Sequence, residues 1–121
     1  MMNFSQDLQS VYDLAERESS LPRLVDAIVE MLSRHPDTLR GITHSYRLHL
    51  TDTGFSQAFA LQKGVLSPLS PNDAADVTVS GSTQNLLLLF QRKLNPAKAL
   101  LLGKVAVQGN KAALFALGKF L

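Results

Sequence analysis

The chain has no cysteine and no tryptophan. Without thiols no disulfide can staple the fold and no thiolate can hold a metal, so stability must come from a packed core. Charge is sparse as well. Asp, Glu, Lys and Arg make up 18% of the residues, against about a quarter in an average globular domain. The formal net charge is only +2, and the basic residues are scattered along the chain, so no stripe suited to tracking a phosphate backbone is visible and nucleic acid is not an expected partner. No apolar stretch approaches the roughly 18 residues of a membrane span. The first residues, Met1 to Ser5, lack a basic segment followed by an apolar core, which argues against a secretory signal. The last, Gly118 to Leu121, do not match a Ser-Lys-Leu peroxisomal address. A soluble cytoplasmic protein is the expectation. Catalytic signatures are missing too. There is no Gly-x-Ser-x-Gly elbow, and Gly103-Lys104 and Gly118-Lys119 lack the earlier glycine and the following Ser or Thr of a phosphate loop.

What is abundant is apolar surface. Hydrophobic residues are 45% of the 121 positions. A single domain of this length buries roughly two thirds of its unfolded surface, which leaves apolar side chains to line a cavity, face a membrane or cover a partner.

The spacing predicts an α+β chain. Ser5 can cap a first helix to about Glu18, with Leu8, Val11, Tyr12 and Ala15 in one stripe. Ser20 and Pro22 start a second helix, whose Leu21, Leu24, Val25, Ile28, Val29 and Leu32 form a wide apolar face. It ends at His35-Pro36. From Ile42 the period becomes two, so residues 42–50 read as a half-buried strand. Thr51 to Gly54 is a hairpin loop and Phe55 to Gln62 the returning strand. A short third strand starts at Val65, and Pro68 and Pro71 confine it to an edge. Asp76 to Ser80 is a fourth strand. Ser82 opens a helix with five consecutive apolar residues, Leu86 to Phe90, so it must be deeply buried or face two apolar surfaces.

The segment Leu94 to Asn110 carries the densest punctuation. Asn95 is an N-cap, Pro96 suits the first helical position, and Gly103 can take the left-handed C′ conformation that closes the helix. Lys104 to Gln108 reads as a fifth strand. Gly109-Asn110 ends it and caps a last helix carrying Ala113, Leu114, Phe115, Leu117, Phe120 and Leu121.

This order of elements, with Ala75-Asp76-Val77-Thr78-Val79, Lys93-Leu94-Asn95-Pro96-Ala97-Lys98-Ala99 and Leu102 to Asn110, resembles the sterol carrier protein 2 (SCP2) family, and within it a stand-alone member of bacterial type. The resemblance covers residues 21–121. Residues 1–20 look like an N-terminal helical extension of that lipid-binding domain. It implies a five-stranded, mostly antiparallel sheet covered on one face by about five helices and enclosing an apolar cavity. It further implies a non-catalytic module that holds a fatty acid, sterol-like, isoprenoid or phospholipid molecule without reacting it. Some bacterial relatives assist ubiquinone biosynthesis, so an accessory scaffold in a lipid or ubiquinone pathway is the second reading. In the family the C-terminal helix tends to gate the cavity, and here it is short.

The expected ligand wall is Leu87, Phe90, Leu94, Leu100, Leu101, Phe115 and Phe120. A lipid pocket needs a continuous apolar wall with few polar groups, and burial of a chain of about sixteen carbons offers on the order of 12 kcal/mol before association costs. Each of these residues could equally be ordinary core. His44 and His49 are five apart on one strand, point to opposite faces and cannot share a metal. His44 reads as a core histidine. No metal, cofactor or catalytic residue is expected. Arg92, Lys93 and Lys98 form a small basic group, either a solvated face or a contact for an acidic head group or transient membrane surface. The first helix could pack on its own domain, or dock on a membrane, a second copy of the chain or another protein. Its Asp7, Asp13, Glu16 and Glu18 against Arg17 favour protein over membrane.

Overall fold

The computed structural model describes residues 3–121. Five helices and five strands follow in the order α1 (Phe4–Arg17), α2 (Leu21–Ser33), β1 (His44–Leu50), β2 (Ser56–Gln62), β3 (Val65–Pro68), β4 (Val77–Gly81), α3 (Thr83–Phe90), α4 (Pro96–Leu101), β5 (Val105–Gly109) and α5 (Lys111–Gly118). The strands form one sheet ordered β3-β2-β1-β4-β5.

Alternation along the strands divides the sheet into two unlike faces. Cross-strand partners Tyr46, Phe59 and Val77 share one face, as do Leu61 with Leu66 and Val79 with Val107. Tyr46, Leu50, Leu61, Val77 and Val105 are buried there with Leu21, Leu24, Met31 and Leu32 of α2, Leu86 of α3 and Leu117 of α5. The opposite face carries Ser45, Arg47, His49, Ala58, Thr78 and Ser80, none of them in the core. The helices therefore cover one face of an open sheet.

Three of the four strand pairs are antiparallel, but β1 and β4 run parallel in the centre. Strand periodicity does not distinguish this pairing from a continuing antiparallel meander. A parallel neighbour requires a crossover connection, and the proline-punctuated segment after β3 provides it. Pro68 closes the edge strand opposite Phe59. The Arg47 guanidinium then donates to the carbonyl of Ser70 at 3.1 Å and more weakly to that of Pro71, steering the chain across the sheet.

The first helix begins earlier than expected. Asn3, not Ser5, is its N-cap, and it forms a reciprocal capping box with Gln6. Ser20 occupies the N-cap position of α2 without a side-chain hydrogen bond. Ser82, Asn95 and Asn110 cap α3, α4 and α5 through their side chains.

The Leu94 to Asn110 segment folds as its punctuation demands. Gly103 has φ +71°, and the N–H groups of Gly103 and Lys104 close back on the carbonyls of Leu100 and Ala99. This is the paired bond pattern of a Schellman ending. Gly109, at φ +103°, lies so close to β4 that an added Cβ would meet the Asp76 carbonyl oxygen at 2.3 Å. Asp76 joins three elements. Its carboxylate accepts from the Ser45 N–H at 2.9 Å, its N–H donates to Ser45 Oγ at 2.8 Å, and its carbonyl accepts from the Asn110 N–H at 2.7 Å.

Candidate functional site

The apolar seam of the molecule lies where α1 closes over α2, α3 and the last residue of the chain. Leu8, Val11, Tyr12 and Ala15, the stripe read from the first helix, face Ile28 and Met31 of α2, Phe90 of α3 and Leu121. α1 thus packs on its own domain. The void between these side chains holds about 20 Å³, room for about one water molecule.

Polar ties surround this seam. At one end Asp7 is buried, with its carboxylate gripped by Arg34 through two hydrogen bonds of 3.1 Å. His35 Nε2 lies 2.6 Å from the same carboxylate and donates, because an ionised carboxylate can only accept. The hydrogen bonds from Arg34 and then His35 hold the Asp7 carboxyl below its usual range, against the opposing effect of burial. Phe4 stacks edge-on against both His35 and Phe120. Midway along α1, the Tyr12 hydroxyl donates to the Leu121 carbonyl, and the Arg92 guanidinium lies 3.7 Å over the Tyr12 ring. At the far end Gln91 donates to the Ala15 carbonyl at 2.9 Å. Arg92 holds its position with φ +60°, a left-handed conformation normally left to glycine. In the sequence Asp7 counts only as one of four acids of the first helix, with Asp13, Glu16 and Glu18. A carboxylate one turn from Val11 and so on the buried edge of an amphipathic helix was the available signal, but its partners lie 27 and 28 residues away.

The seven residues expected to form a ligand wall fall into two groups. Leu87, Phe90, Leu94 and Phe120 are partly buried and packed against the core, and Phe90 lines the seam. Leu100, Leu101 and Phe115 lie at the surface, 46%, 85% and 73% exposed, with Leu102 beside them at 65%. α3, with its run of leucines, is the helix expected to meet two apolar surfaces, and it contacts both α1 and α2.

Tyr46, at the centre of the inner face, donates to the Ala113 carbonyl at 2.6 Å and so ties α5 to β1. Burial, with Asp76 nearby, pushes this hydroxyl up to about 12, so it stays a donor at any ordinary pH. His44 is not a core residue. Its side chain is a third exposed, and its Nδ1 lies 3.6 Å from the Asp76 carboxylate at the rim of the sheet. Among the described residues no three His, Asp or Glu side chains gather as a metal site, and no helix is long and apolar enough to cross a membrane. A groove of about 230 Å³ lies at the β1–β2–β3 edge of the sheet between Arg47, Ser56, Ala58, Pro68, Leu69 and Pro71.

A helix-covered mixed sheet with an apolar seam under its helices defines a class of small α+β domains, and the comparisons with known proteins specify which. The family model "SCP-2 sterol transfer family" matches residues 27–121. The chain therefore belongs to the SCP-2 sterol transfer family. Bovine (Bos taurus) hydroxysteroid dehydrogenase-like protein 2 is 39% identical over 51 residues, which is 42% of this chain and 12% of that protein. Among solved structures, the sec-alkylsulfatase Pisa1 from Pseudomonas sp. superposes with a TM-score of 0.61 at 28% identity, over 78% of this chain and 15% of that enzyme. The chain thus spans only a small part of both these relatives. A "UbiJ-SCP2 Ubiquinone synthesis protein" superposes with a TM-score of 0.61 at 17% identity, over 82% of this chain and 93% of the other. SCP2-like 2 from Aedes aegypti superposes at 0.56 and 16%, over 84% and 100%. The last two likenesses establish the fold. α1 lies wholly before the matched residues.

Proposed function

We propose that this protein is a non-catalytic lipid carrier that sequesters an apolar tail between α1 and the α2–α3 layer. The observation that carries this reading is the seam itself, where an amphipathic helix outside the family match lies over apolar side chains of α2 and α3 and meets the chain end at Leu121. A void of about 20 Å³ admits no acyl chain, so loading requires α1 and the C-terminal residues to swing away together, as the Tyr12–Leu121 bond couples them. The tail then rests on Phe90, with Leu87, Leu94 and Phe120 completing the wall. Each buried CH₂ contributes about 0.8 kcal/mol, which offsets the lost helix contacts for a chain of ordinary fatty-acid length.

Mass spectrometry under native conditions should find a co-purified lipid, and a fluorescent fatty acid should be displaced by unlabelled lipid. Absence of both would overturn the carrier reading. Phe90→Ala should weaken displacement about tenfold or more, because a truncated aromatic wall loses much of its contact area.

The second reading is an accessory scaffold in a lipid or ubiquinone pathway. The specific observation favouring it is the fold shared along nearly the whole of the UbiJ-SCP2 ubiquinone synthesis protein. Retention of partner enzymes by a variant with a blocked seam would favour it over the carrier.

A further inference from the structure

The ten carboxylate side chains all lie at or before Asp76, while residues 77–121 carry Arg92, Lys93, Lys98, Lys104, Lys111 and Lys119 and no Asp or Glu. The small overall charge hides this division. The same segment displays the exposed large apolar residues Leu100, Leu101, Leu102, Phe115 and Leu121.

The two properties coincide residue by residue. On α4 and its Schellman ending, Lys98 and Lys104 bracket Leu100, Leu101 and Leu102, and both lysines are exposed. On α5, Lys111, Phe115 and Lys119 fall at steps of four, which places them in one row on a helix face, and all three are exposed. Each ridge is an apolar side chain between two ammonium groups. A protein partner with an apolar face would be served by the leucines alone. Lysine stems flanking protruding apolar side chains suit a different surface, where the tips enter the acyl boundary and the ammonium groups meet anionic head groups. Among the described residues no lysine of these ridges is engaged in an ion pair.

We infer that the α4 ending and the outer face of α5 form a docking surface for an anionic lipid bilayer. This rests on the carrier reading for its purpose, since a carrier must meet the membrane it loads from. Its physical basis, exposure and charge, is independent of the seam. The backbone stays folded, and only side chains of exposed turns enter the interface.

The absence of native tryptophan supplies a clean probe. Leu101→Trp and, separately, Phe115→Trp proteins are titrated with vesicles of phosphatidylcholine, with or without phosphatidylglycerol. Indole emission should shift to the blue only with the anionic vesicles, and high salt should reverse the shift. Lys98→Glu combined with Lys104→Glu, Lys111→Glu and Lys119→Glu should reduce vesicle partitioning at least about 100-fold, given about fivefold per cation at such a surface. The same variant should still displace the fluorescent fatty acid in solution, without vesicles. An indole that stays water-like, equal shifts with neutral vesicles, or undiminished partitioning of the charge-reversed protein would overturn the inference. A blue shift that instead tracks protein concentration without vesicles, with dimers in sedimentation, would also overturn it. If the tail-binding assay fails while vesicle docking persists, the carrier reading fails and the docking surface stands.

Discussion

Asp7 shows how far one residue's behaviour can depart from its local sequence. A buried carboxylate is tolerable only when its charge is compensated, and here Arg34 and His35 supply the compensation. Hydrogen bonds to a charged group contribute about 1.5–3 kcal/mol, so Asp7→Asn should destabilise the protein by about 2 kcal/mol at neutral pH, read from urea unfolding. The pH dependence has a definite sign. A carboxyl held below its usual range in the folded state stabilises above the unfolded pKa of about 3.9, and that contribution disappears as pH falls through the folded value. Thermal stability of the native protein should therefore decline below about pH 4, and the Asp7→Asn variant should decline less over the same interval. Equal declines would remove Asp7 from the account.

At the scale of elements, Gly103 and Gly109 look alike in sequence, each ending a regular segment, but they answer to different forces. Gly103 is free of neighbours and needs only the left-handed conformation, so Gly103→Ala should cost about 1–2 kcal/mol. Gly109 needs both the conformation and the space, because β4 backbone lies where a Cβ would go. Gly109→Ala should cost about 3 kcal/mol or more, adding backbone shift to strain. Chemical unfolding of the two variants measures the difference, and equal costs would show that conformation alone sets both. The N-caps at Ser82, Asn95 and Asn110 were legible because a cap is a contract within four residues. Asn3 was missed in favour of Ser5 because several residues near the start can each cap, and only the Gln6 side chain reaching back selects one.

At the scale of the whole molecule, α1 acts as a strap over the seam. Beyond its polar ties at Asp7, Tyr12 and Ala15 it buries Val11 and Ala15 in the core, and the proposed loading requires it to detach without unfolding the sheet. Hydrogen exchange should show this. In the native protein the amides of α1 should exchange with a lower opening free energy than those of β1, which is paired on both sides. If α1 and β1 amides open with the same free energy, the strap and the sheet form one cooperative unit and loading needs global opening.

The sequence by itself determined the elements, the caps of α3, α4 and α5, the edge placement of β3 and the family, because periodicity, capping and turn chemistry act over a few residues. It also named the apolar residues of the C-terminal half, without separating those that pack inside from those that face outward. Only the tertiary structure decided that β4 lies parallel to β1, that Asp7 meets Arg34 and His35, and that Leu101 and Phe115 stand in solvent beside lysines. Each of those depends on which surfaces meet once the helices fold over one face of the sheet, and a contact between residues far apart in the chain leaves no period to read.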